Sequence, residues 1–201
     1  MKEIRKLDLQ FRAENTEDEK MEIKGYAAVF NSPETYSYTE VIAPTAFDEA
    51  DMSDVVLRYN HNDSFMVLAR TRNKSLELNV DEKGLFMTAT LQDDISEHRD
   101  IFNAIKTELI DKQSFAFSVE EDEYDYDTDT RTITKIGKLY DVSVVDQPFY
   151  NATDVSVARG QNDEFLTKRA ELREQHEKEL EEEKKAEELR TLKDNLLAKL
   201  G

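Results

Sequence analysis

The sequence predicts an α+β fold, a β-rich body followed by a long charged helix, and three observations carry that prediction. Segments with apolar and polar residues in alternation recur between residues 21 and 145. A single stretch in the middle of the body, around residues 96–109, has helical spacing instead. The end of the chain, residues 162–200, is rich in Glu, Lys, Leu, Arg and Ala and contains neither Gly nor Pro.

With 201 residues the chain is long enough for one compact domain and an appendage. Lys and Arg number 27 against 45 Asp and Glu, for a formal charge of -18. A surface so acidic, with no basic patch, repels phosphate backbones and argues against nucleic-acid binding. No apolar run approaches the length that spans a bilayer, so no membrane partner is expected. The opening residues MKEIRKLDLQF carry scattered charges and no signal-peptide core. With zero Cys there is no disulfide, thiolate zinc site or cysteine nucleophile. These features describe a soluble, acidic, intracellular protein. Residues 161–201 hold 12 acidic and 9 basic side chains, so the surplus negative charge sits in the body.

In chain order, MEIKGYAAVF (21–30) reads as a strand, with Gly25 marking a bulge or a close approach. Pro44 is placed to open a short helix over PTAFDEA. VVLRYN (55–60) is a strand running into His61. SLELNV, DEKG and LFMTATL form a hairpin signal, alternating on both arms. Asp94 or Ser96 caps a helix whose apolar face is Ile101, Phe102, Ile105 and Leu109. SFAFSV (114–119) returns to period two, with Phe115, Phe117 and Val119 on one side and Ser114, Ala116 and Ser118 on the other. EEDEYDYDTDT leads into TRTITKI as a long hairpin with a charged tip. Asp125, Asp127 and Asp129 lack the Gly and late Glu of a calcium loop, so a solvated hairpin end is the better reading. KLYDVSVV is a last strand before Pro148. The tail is helical over 163–200, with Leu189, Leu192, Leu196 and Leu200 at three-four spacing and Phe165 and Leu172 seven apart. It reads as a charged helix with apolar ends that associates with another helix.

Three histidines are available for chemistry. His176 lies among charges and His98 near a helix start, and both read as solvated. His61 ends an apolar strand between Asn60 and Asn62. There is no HExxH, no GxxxxGK[ST] and no GxSxG, which excludes a zincin, a P-loop hydrolase and the nucleophile elbow of an α/β-hydrolase.

Five blocks in order resemble those of the prohead maturation proteases of tailed phages: GYAAVFNSPE; EVIAPTAFDEA; YNHNDSFMVLARTRNKSLELNVDEKGLFMTATL; KQSFAFSV; and KLYDVSVVDQPFYNATDVSVAR. The likeness runs over roughly residues 20–160. That family is held to share a fold with the herpesvirus assembly proteases, which implies a β-barrel-like protease core with flanking helices and the serine on a strand. It implies a serine endopeptidase in which Ser114 is the nucleophile, His61 its general base and Asp141 the third member, with Asp146 as the competing carboxylate. The usual glycine after SF is Ala116 here, and the acidic position is Asp141 where the family more often has Glu. Arg70 and Arg72 are candidates for the oxyanion site. No cofactor or metal is implied. The expected domains are a protease domain over 1–160 and a scaffold-like or partner-binding tail over 161–201. The implied substrates are the major capsid protein, scaffold segments and the chain itself, inside the assembling prohead in the host cytoplasm, with self-association through the protease domain or the tail. A noncatalytic scaffold derived from such a protease is the alternative, and keeping both His61 and Ser114 argues against it.

Overall fold

The computed structural model describes residues 2–7, 11–15, 20–35, 38–146 and 159–200. The Pro148 segment of the closing block lies outside them. Contacts divide the chain into two units, Met1–Val155 and Ser156–Gly201.

The first unit is built on two sheets. Its strands are β1 (Lys2–Leu7), β2 (Phe11–Asn15), β3 (Met21–Val29), β4 (Glu34–Thr35), β5 (Thr39–Ile42), β6 (Val56–Tyr59), β7 (Ala69–Arg70), β8 (Leu76–Val80), β9 (Gly84–Leu91), β10 (Lys112–Asp125) and β11 (Thr130–Val145). One helix, α1 (Ser96–Lys106), and a 3-10 turn at Thr71–Asn73 complete it. The larger sheet runs β1-β10-β11-β5-β4, with β6 on β11 and β7 on β6; the smaller runs β2-β3-β9-β8. Phe47, Phe115, Phe117 and Leu139 join Ile23, Leu85, Met87 and Ala89 in one apolar cluster, so the two sheets share a core.

The described residues bear out the α+β class, mostly strands in sheets with two helices, and among them the strands do not close into a barrel. β11 gives its free edge first to β5, at Thr130–Ile133, and then to β6, at Asp141–Val144, both in parallel. That division fans the sheet instead of carrying one ladder round. KLYDVSVV and TRTITKI are not separate strands either: they form the single β11, with bulges along its pairing to β10.

The bulge in β3 falls between Tyr26 and Ala28, not at Gly25, which pairs in register with Met87. Its mark is two successive buried residues, Ala27 and Ala28. The close approach belongs to Gly84, where a Cβ would lie 2.0 Å from the Ala28 carbonyl oxygen. Residues 44–49 form successive turns, with Ala46, Asp48 and Ala50 each donating three residues back, so the expected PTAFDEA helix is absent.

α1 starts after Ile95 with no side-chain cap, and neither Asp94 nor Ser96 caps it. Ile101, Phe102 and Ile105 are buried as expected. Leu109 is 76% exposed because the helix stops at Lys106, and Ile110 is buried in its place. His98 is also buried, against expectation: its ring accepts from Gln92 N at 3.1 Å and meets the Val67 carbonyl at 3.2 Å.

The second unit is one helix, α2 (Arg159–Leu200), of 42 residues. Lys178 reaches Glu174 at 2.6 Å and Lys185 reaches Glu181 at 2.7 Å across single turns. Among the described residues no helix is long and apolar enough to cross a membrane.

Candidate active site

β10 and β11 bring the polar residues together through their register. Ser114 lies opposite Ser143, and Ala116 opposite Asp141, so Ser114, Asp141 and Ser143 share one face. β6 lies along the other edge of β11, with Tyr59 level with Val144, and the chain turns immediately beyond it. At that turn Asn60 and His61 both have φ of 53°. Left-handed backbone at a non-glycine residue is costly, on the order of 1–3 kcal/mol, and must be held in place by its surroundings. Here Asn60 N donates to the Val144 carbonyl at 2.9 Å, His61 N donates to Ser143 Oγ at 3.3 Å, and Asp146 N donates to Asn60 Oδ1 at 3.2 Å.

The turn aims the imidazole between the strands. His61 Nδ1 lies 2.5 Å from Asp141 Oδ1, and His61 Nε2 lies 2.6 Å from Ser114 Oγ. Carboxylate, imidazole and hydroxyl thus form one unbroken chain. The structure joins the three residues singled out from the sequence and leaves Asp146 outside: its carboxylate accepts from the Tyr59 hydroxyl at 2.7 Å. Arg70 forks onto Asp54 at 2.5 and 2.7 Å, Arg72 points to the same carboxylate, and β11 and β6 stand between β7 and β10. Neither arginine is brought to the serine.

Three contacts went unread in the sequence. Ser143 Oγ donates to Asp141 Oδ1 at 3.0 Å and lies 3.2 Å from His61 Nδ1. The signal for it was present, since Asp141 and Ser143 are two apart on a strand. Lys2 Nζ lies 3.0 Å from Asp141 Oδ2. Ser114 Oγ donates to the Arg5 carbonyl at 2.7 Å. Nothing in the charged opening residues pointed to these last two.

Burial pushes the Asp141 carboxyl up, but the hydrogen bond and charge of His61, with the Lys2 ammonium, outweigh it and hold Asp141 below the usual carboxylate range. It is therefore an anion where it meets the imidazole. Such a carboxylate selects the tautomer with a proton on Nδ1 and stabilises the imidazolium.

Residues 7–168 match the family described as caudovirus prohead serine protease. The chain belongs to that family. No curated protein and no solved structure matches it. The matched stretch contains His61, Ser114, Asp141 and Ser143, while Lys2 and Arg5 precede it. Membership carries a serine protease role in phage maturation, with capsid proteins as the substrates and the assembling procapsid in the host cell as the place of action.

Proposed function

We propose that this chain is a serine endopeptidase in which Ser114 attacks the scissile carbonyl, His61 takes its proton and Asp141 orients the imidazole. The single observation that carries the reading is the linked set Asp141–His61–Ser114 at 2.5 and 2.6 Å. A serine hydroxyl is a weak nucleophile until an adjacent base removes its proton. His61 Nε2 would accept that proton during attack and return it to the leaving amine. The acyl group left on Ser114 Oγ is then released by water, activated by the same nitrogen.

The substrates in this reading are coat and scaffold segments within the prohead, and the chain itself. α2 is the partner-binding element and takes no part in the chemistry. The test is mass analysis of the full chain and of a capsid-protein substrate after incubation. Ser114→Ala and His61→Ala should each abolish processing while circular dichroism stays unchanged. Processing of either variant at the wild-type rate removes that residue from the mechanism, and absence of processing by the wild type itself leaves a noncatalytic scaffold as the function.

A further inference from the structure

The serine that this chemistry needs is covered by the chain's own first strand. β1 pairs antiparallel with β10, Lys6 opposite Ser114 and Lys2 opposite Ser118, and it forms one end of the larger sheet. Ser114 is 0% exposed. Its hydroxyl has one proton and two acceptors within reach, the Arg5 carbonyl at 2.7 Å and His61 Nε2 at 2.6 Å. While the proton goes to the Arg5 carbonyl it is not directed at Nε2, so the hydroxyl is not poised to hand it to the general base. The Arg5 peptide is not posed as a substrate either. The hydroxyl meets its carbonyl oxygen as a donor, whereas attack requires Oγ at the carbon with the oxygen turned to other donors.

We propose that β1 is a self-inhibiting strap, which occupies the edge of β10 that an extended substrate segment must take and withdraws before cleavage. This rests on Ser114 being the nucleophile. Two sets of contacts hold the strap. On the serine face Lys2 pairs with Asp141, tying the strand to the residue that orients His61. On the opposite face Glu3 and Arg5 enter a buried ionic cluster. Arg5 pairs with Glu3 and Glu40, and Arg131 pairs with Glu3 at 2.9 Å, Glu40 at 3.1 Å and Asp122 at 2.6 Å.

The composition of that cluster makes the strap removable. An isolated buried charge is strongly destabilising. Withdrawing β1, however, takes out one cation and one anion together, and Arg131 stays paired with Glu40 and Asp122. Among the described residues β1 is an edge strand that pairs with β10 alone, so one ladder has to break. The edge then bared on β10 has unpaired N–H and C=O groups, a template for an incoming strand. A substrate segment in extended conformation replaces the ladder that β1 gives up, so the exchange conserves most of the backbone hydrogen bonding.

The chain has no Cys, so a designed pair provides a clean test. In full-length Lys2→Cys/Ser118→Cys, whose two positions face each other across the strands, oxidation ties the Lys2 end of β1 to β10. Cleavage of a capsid-derived peptide should fall at least tenfold on oxidation and return on reduction, with Lys2→Cys alone indifferent to both. Equal rates in the oxidised and reduced forms overturn the strap. Hydrogen exchange on the wild type is a readout independent of activity. Residues 2–7 should exchange at least tenfold faster than β11, as a unit that opens separately. Exchange of β1 only together with β11 also overturns the strap. Fast opening of β1 without any Ser114-dependent turnover overturns the peptidase reading instead, and the inhibitory role with it.

Discussion

Ser143 and Asp141 divide the work of holding the imidazole: the carboxylate accepts from Nδ1, and the hydroxyl donates to that carboxylate at 3.0 Å while receiving His61 N–H. In the best-studied triad, replacing the carboxylate by an amide costs on the order of 10⁴ in kcat. Asp141→Asn should therefore lower kcat by about 10³ to 10⁴, measured on a peptide substrate. Asp146→Asn should change it less than about threefold, since Asp146 serves Tyr59 and the Asn60 turn and not the imidazole. The reverse ranking would transfer the third role to Asp146. At this scale the sequence was partly legible. His61 and Ser114 stood out only through their blocks, because a lone histidine and a serine in a strand have no pattern of their own. His98 was misread although the signal was there: with Ile101, Phe102 and Ile105 it completes an i, i+3, i+4, i+7 stripe, and the burial of those three requires its own.

Among the elements, the β8–β9 hairpin was readable because alternation on both arms and an Asp at the turn agree. Asp81 Oδ1 accepts from Lys83 N at 2.8 Å and Gly84 N at 3.0 Å. Gly84 then packs against Ala28 so closely that any Cβ strikes backbone. Gly84→Ala should destabilise the body by about 1–3 kcal/mol, seen as a lower midpoint in urea. β1 escaped notice because its inward residues are Glu3 and Arg5, charges buried as pairs, which invert the usual pattern of apolar residues inside. Its attachment is sensitive to acid. Burial raises the Glu3 carboxyl, but Arg131 and Arg5 outweigh it, so Glu3, like Asp141, ionises below its ordinary value. A carboxylate depressed in the fold stabilises it fully above its ordinary value, 4.5 for Glu3 and 3.8 for Asp141, and that stabilisation is lost as pH falls through the folded value. Exchange at β1 should therefore accelerate relative to β9 as pH drops below about 4, after correction for intrinsic rates. No such acceleration would mean that Glu3 and Asp141 do not hold the strand.

For the molecule as a whole, the charged tail raises a question of partners that the body does not. A helix of 42 residues spans about 63 Å, yet its described side chains are mostly exposed, Leu180 at 40% and Leu189 at 56% among them. Its turn-to-turn ion pairs contribute a few tenths of a kcal/mol each, and an isolated helix of such composition is only partly formed in water, since most helical stability in proteins comes from packing. The helical character was legible from composition alone. The seam is not so continuous, because Leu180 stands among charges and the leucines concentrate toward the end, at Leu189, Leu192, Leu196 and Leu200. On the proposed recruiting role, a stripe that short suits one partner helix, with the surrounding Glu and Lys to set register. Deleting residues 160–201 should therefore leave peptide cleavage by the body within about twofold of the full chain, while incorporation into assembling proheads falls at least tenfold. Full incorporation of the truncated chain would show that the tail recruits nothing. Loss of peptide cleavage would show that α2 supports the protease unit itself, and the division of labour between the two units would have to be redrawn.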